Sequence, residues 1–175
     1  MSEQDSDLAP DVPAAPAHEY SNFIQQLEIS TIFLQSAHVE NKVGPVAPTP
    51  AEVSIQGKSS FNNGQGTVRV AHIYEVHVHD ADDPDKIFLE LEVQFAVDYR
   101  SQLSMTPALF MTFKDLNLPL NTWPYLREYL ASTMTRCNWV PFTLPVFSVP
   151  GSSAPAPTRT PRKRKAKAIE SHNAS

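Results

Sequence analysis

The chain has 175 residues, 41% hydrophobic and 19% charged, with sixteen prolines and a single cysteine. One cysteine, Cys137, excludes an internal disulfide framework and a thiol-rich metal site, and no apolar run approaches the ~18–20 residues of a membrane-spanning helix. The net charge of −5 is unevenly spread: residues 1–20 carry five acids and no Lys or Arg, residues 159–175 carry six basic residues against Glu170, and the body between is mildly acidic, a poor surface for nucleic acid.

Residues 1–19, built from Ala, Pro, Asp and Ser with hardly a large apolar side chain, are expected to be disordered. The folding unit is expected over 20–149, long enough to bury roughly 65–70% of its unfolded surface. Its first strand is expected over 23–35, rich in Ile, Leu and Phe. The Pro-rich stretch 44–50 reads as a crossover loop, because no hairpin needs that many residues. A shorter strand holding Val53, Ile55 and Phe61 ends at Asn-Asn-Gly-Gln-Gly, 62–66, a hairpin turn.

Alternation then becomes regular. Val68, Val70, Tyr74, Val76 and Val78 alternate with Arg69, Ala71, Ile73, Glu75, His77 and His79. After an Asp-rich linker with Pro84, Leu89, Leu91, Val93, Phe95, Val97 and Tyr99 share one face, and Glu90, Glu92, Gln94 and Asp98 the other. Such strict period two marks a strand with one covered face.

Beyond Arg100 the period changes to that of a helix. Thr106 and Pro107 supply a cap and first turn for a helix to about Leu116. A second helix is expected from Asn121, with Tyr125, Leu126, Tyr129, Leu130, Thr133, Met134 and Cys137 along one stripe. Pro141 and Pro145 stop further helix, and residues 150–175 are expected to be disordered with a basic tail. The fold class is α+β, a four-stranded antiparallel sheet followed by two helices. Two helices leave much of the sheet uncovered, so self-association is expected.

Signals for catalysis are weak. Five scattered glycines form no phosphate loop, and no Gly-x-Ser-x-Gly elbow occurs. Cys137 falls on an apolar stripe, where a buried thiol is inert. His77 and His79 share a face ahead of Asp80, Asp82 and Asp83, but no third ligand stands at defined spacing, so no metal is expected. Glu90 and Glu92 form a solvated acidic patch. The chain is therefore expected not to be an enzyme, with no catalytic residue and no cofactor. The run Arg162-Lys-Arg-Lys-Ala-Lys167 lacks interleaved aromatics that would stack on bases, so nucleic acid is not the expected partner. An adaptor that binds nucleic acid through this tail remains the alternative.

The conspicuous feature is apolar. Large side chains crowd residues 110–147, more than regular structure broken by so many prolines can hide. Phe110, Phe113, Trp123, Trp139, Phe142 and Phe147 are the candidates to line a groove for extended polypeptide. Leu91, Val93 and Phe95 are assigned to core or subunit packing.

The run Trp-Pro-Tyr-Leu-Arg-Glu-Tyr-Leu-Ala-Ser-Thr-Met-Thr-Arg at 123–136 resembles the signature of the SecB export-chaperone family. Pro124, Tyr125, Arg127, Glu128, Arg136, Pro141, Leu144 and Val146 are the matching positions, and Leu-Glu-Val-Gln at 91–94 is similar to the family's last strand. The resemblance covers about residues 22–149. It implies the same α+β fold assembled as a homotetramer (a dimer of dimers) in the cytoplasm. It also implies ATP-independent holding of unfolded or precursor polypeptides in hydrophobic grooves, with a SecA-like motor as a further partner. Glu90 and Glu92 become candidates for docking that translocase, while Arg127 and Glu128 are expected to pair and cap their helix. The basic tail departs from the family's acidic one, and Thr31 and Gln35 stand where acids are expected. Those departures suit a branch dedicated to the antitoxin of a toxin–antitoxin module.

Overall fold

A computed structural model describes residues 13–147. The expected disorder of 1–12 and of the basic tail falls outside the described residues. The elements run α1 (Ala17–Gln25), β1 (Glu28–Asn41), β2 (Ala51–Gly64), β3 (Thr67–Asp80), β4 (Ile87–Arg100), α2 (Pro107–Asp115) and α3 (Asn117–Arg136). The strands form one antiparallel sheet in the order β1-β4-β3-β2. The 44–50 stretch thus carries the chain from one edge of the sheet to the other, as the sequence implies.

The register explains which residues are buried. Leu89, Leu91, Val93, Phe95, Val97 and Tyr99 of β4 are all buried, and so are Val68, Val70, Tyr74, Val76 and Val78 of β3. These two central strands present their apolar face to the helices. One core gathers Tyr74, Leu91, Val93 and Phe95 with Leu126, Leu130 and Met134 of α3. The other gathers Val68, Val70, Val97 and Tyr99 with Leu109, Phe110 and Phe113 of α2 and with Leu118. Leu91, Val93 and Phe95 are therefore core packing within one chain. Among the described residues no helix lies against the far face of the sheet.

Two expectations are corrected. Residues 17–25 form a helix, so the disorder expected for 1–19 and the strand expected from 23 both misplace this segment. Tyr20, Phe23, Ile24 and Leu27 recur at helical spacing, and all join the second core, where Phe23 is 0% exposed. Tyr20 also donates its hydroxyl proton to Asn117 Oδ1, tying α1 to the start of α3. Secondly, α3 begins at Asn117, one turn before Asn121, and runs through Pro124. Pro119 sits in its first turn, where no N–H is needed. An interior Pro such as Pro124 costs about 3 kcal/mol, and the burial of Leu118, Thr122, Leu126 and Leu130 along α3 acts against that cost. The α2 start is as expected: Thr106 Oγ1 accepts from Leu109 N at 3.2 Å, with Pro107 following.

Candidate functional site

The site is organised by the way α3 ends. Asn138 takes a left-handed conformation (φ 61°), Trp139 N donates to Met134 O at 2.9 Å, and Asn138 N donates to Thr135 O at 3.0 Å. This is a Schellman stop with Asn in the place usually held by glycine, and it fixes where Trp139 leaves the helix. The Trp139 indole Nε1 donates to Gly44 O at 2.8 Å, and Asn138 Nδ2 donates to Pro45 O at 3.3 Å. The crossover loop is thereby hung from the end of α3. Its other support is Asn41, whose Oδ1 accepts from Val43 N and Gly44 N while its Nδ2 donates to Gly44 O at 2.8 Å. Gly44 sits at φ 84°, where a side chain is strained.

Between the loop and the residues after α3 lies an apolar cavity of about 730 Å³. Val46 and Ala47 form one wall, Trp139, Val140 and Phe142 the other, and Val53, Val78 and Met134 lie deeper. Both walls are rich in proline, so they expose few backbone donors, and neither wall is helix or strand. The rim is apolar and wet: Val46 is 76% exposed and Val140 86%. Beyond the cavity the chain continues along α3. There Trp123 Nε1 donates to Pro145 O at 2.8 Å and the Phe147 ring lies 5.7 Å from Trp123.

Of the six aromatics expected to line a groove, the structure brings Trp139 and Phe142 to the cavity and sets Trp123 and Phe147 together beside it. Phe110 and Phe113 are corrected. They are 2% and 1% exposed in the second core, Phe110 packed on Phe61 and Phe113 on Tyr99, so they support the sheet rather than face a groove. Val46 and Ala47 were not legible as lining, since a proline-rich loop reads as connection until its attachment to Trp139 is seen.

The other candidates lie elsewhere. Glu90 and Glu92 occupy the outer sheet face, opposite Glu40 and His38 of β1 and His77 and Glu75 of β3. Lys42 bonds Glu90 at 3.0 Å and holds its carboxyl below the usual carboxylate range; Glu92 is exposed. Further along that face Arg69 grips both oxygens of Asp98 at 2.6 and 2.8 Å and lies over the Phe33 ring. The shared face of His77 and His79 is broken by a bulge at Val78/His79, and His79 Nδ1 turns to Asp80 O at 2.9 Å. Among the described residues no group of three His, Cys, Asp or Glu could hold a metal ion. Cys137 packs half-buried against the first core. Arg127 and Glu128 make no ion pair among the described residues, and Arg127 Nε is buried without a hydrogen-bond partner.

One polar residue on the apolar face escaped the sequence pattern. His72 is 5% exposed, its ring edge-on to Tyr74 at 4.1 Å and its Nδ1 2.7 Å from Ser59 Oγ. Burial pushes its pKa down to about 4, so it is neutral at pH 7. Gly57 lies directly opposite Tyr74, and a Cβ there would come within 3.1 Å of the His72 ring. Tyr74 in turn bonds Thr122 Oγ1 at 2.7 Å, and burial raises its phenol to about 12.

No family model matches the sequence, and no curated protein matches it. Among solved structures the chain is similar to a Mycobacterium tuberculosis SecB-like chaperone in complex with a ChAD peptide from the HigA1 antitoxin. The two share 14% identity and a TM-score of 0.65 over 75% of this chain and 99% of that one. A protein of unknown function from Streptococcus agalactiae also matches, with 9% identity and a TM-score of 0.43 over 68% of this chain and 96% of that one. The four-stranded sheet, its crossover and the helices that follow it are therefore those of a SecB-like chaperone fold.

Proposed function

We propose that the protein is an ATP-independent holdase that captures apolar segments of non-native polypeptides in the cavity between the crossover loop and residues 139–145. The observation that carries this is the cavity itself: about 730 Å³, apolar on both walls, with a rim of exposed valines. Fully burying one Leu, Val or Phe side chain is worth about 1.5–3 kcal/mol. Two or three anchors per groove give a gross gain that ordering costs reduce to weak binding. Several grooves on one oligomer convert weak binding into retention.

A face for self-association supports the oligomer. On the helix side of β1, Ile29, Leu34 and Val39 are exposed, and exposed Tyr125 of α3 lies 6.1 Å from Phe95, the partner of Leu34 in the sheet. A second copy covering this face is the first step to a dimer of dimers. The chain acts as no enzyme and needs no cofactor in this reading, and its place is the cytoplasm. Among the described residues no helix is long and apolar enough to cross a membrane.

Two client classes fit the holdase. Export precursors handed to a SecA-like motor would use the outer face around Glu90 and Glu92. An antitoxin is the second, favoured by the antitoxin peptide bound to the mycobacterial neighbour.

The test replaces rim residues that carry no packing. Val46→Ser with Val140→Ser leaves secondary structure and oligomer mass unchanged and lowers suppression of aggregation of an unfolded client by several-fold. Full suppression by this double variant overturns the site assignment. Native mass spectrometry in which the chain stays monomeric and ignores an unfolded polypeptide overturns the function.

A further inference from the structure

Among the described residues the outer sheet face has no helix against it, and its acidic excess is concentrated at one end. Two neighbouring rows cross the four strands there: Glu40, Glu90, His77 and Ser54, then His38, Glu92, Glu75 and Gln56. Glu52 of β2 stands on the same face by the alternation of the strand, two residues before Ser54. Five glutamates thus share a patch with two lysines, Lys42 on Glu90 and Lys58 on Glu75 at 2.6 Å. Glu40, Glu52 and Glu92 make no ion pair among the described residues. Glu40 and Glu90 face each other directly in the register, and Lys42 on Glu90 offsets only part of the like charge of the five glutamates.

We propose that residues 159–167 of this chain dock on this acidic end of the sheet. The segment carries Arg159, Arg162, Lys163, Arg164, Lys165 and Lys167 and no acid, the complement of the patch. Its tether is long enough. The described chain ends at Phe147, whose ring lies by Trp123 of α3 and so on the helix side of the sheet, and residues 148–158 separate it from Arg159. Proline punctuates that stretch at 150, 155 and 157. Eleven residues can reach at most roughly 36–40 Å. Four strands about 4.8 Å apart make a sheet some 15–20 Å wide, so the reach of that stretch exceeds the width of the sheet. The acids at Glu3, Asp5, Asp7 and Asp11 also attract the tail, but the sheet holds its carboxylates at fixed spacing on a rigid frame. Docking here covers the face on which Glu90 and Glu92 stand, and it is independent of client capture on the other side of the sheet.

The test is zero-length carbodiimide cross-linking of the full chain at low ionic strength, with linked peptides mapped by mass spectrometry. Lys163, Lys165 and Lys167 are expected to join Glu40, Glu90, Glu92 or Glu75. The yield should fall at least fivefold in 0.5 M NaCl, where the screening length is only about 4 Å. It should fall equally in the triple variant Glu40→Gln, Glu90→Gln, Glu92→Gln. The Lys58–Glu75 linkage reports in every sample that the sheet is intact. Tail lysines joined only to Glu3, Asp5, Asp7 or Asp11, or no tail linkage while Lys58–Glu75 forms, overturns the proposal. So does a tail that becomes reactive only after nuclease treatment, which assigns the segment to nucleic acid.

Discussion

His72 makes the stability of this protein depend on pH in a defined window. Its pKa is about 4 in the folded chain, against 6.5 for an unperturbed histidine, because the ring is buried between Tyr74 and Gly57, with Ser59 Oγ as its partner among the described residues. The folded state resists protonation and the unfolded state does not. Above pH 6.5 both forms are neutral and the full stability is present. As pH falls from 6.5 to about 4 the unfolded chain binds the proton first, and stability declines until the folded pKa is reached. Each pH unit in that window is worth 1.36 kcal/mol, so the whole loss is about 3 kcal/mol. Urea unfolding at a fixed protein concentration, at pH 7.5, 6, 5 and 4.5, measures it, with concentration fixed because assembly contributes to apparent stability. His72→Gln removes the titrating group, and its unfolding free energy should be nearly flat over the same interval. An equal slope in the wild-type chain and in His72→Gln refutes the assignment.

Two other substitutions test the frame. Phe23→Ala deletes a fully buried ring from α1 and should lower the unfolding free energy by about 3–5 kcal/mol; a loss below 1 kcal/mol would mean that α1 is not part of the folded domain. Gly44→Ala adds a Cβ that meets no neighbour but must hold φ near 84°, at a cost of about 1–2 kcal/mol. Because Gly44 O receives both Trp139 and Asn41, client capture should weaken with it, read as a raised concentration for half-maximal aggregation suppression.

The central strands were legible because their two faces differ chemically. Every second residue of β4 is apolar and buried by a helix, so period two survives in the sequence. Strand β1 is different. Register shifts between Ile29 and Thr31 and between Leu34 and Ser36 slip the alternation twice, and most of the strand is exposed on both faces, with Ile32 packed on the second core. Its start was therefore blurred into α1, whose Phe23 and Ile24 read equally well as the opening of an apolar strand. The first turn of α3 was hidden by Pro119 and Pro124, which argue against helix until the packing of Leu118 and Thr122 is known. Counting aromatics could not separate Phe110 and Phe113, which fill a core, from Phe142, which borders a cavity. His72 left no mark in the pattern, since one polar residue among valines is indistinguishable from an exposed one without the strand opposite it.

The chain has only two tryptophans, and each spends its indole N–H on a carbonyl of an irregular segment: Trp123 on Pro145, Trp139 on Gly44. Each is therefore a native optical probe of a different side of the cavity. Capture that shifts the crossover loop changes the emission of Trp139, and capture that lifts the segment after α3 changes that of Trp123. Replacing either with Phe leaves a single-tryptophan protein. Unlabelled clients can then be titrated by fluorescence, with the two variants reporting separately on which wall yields.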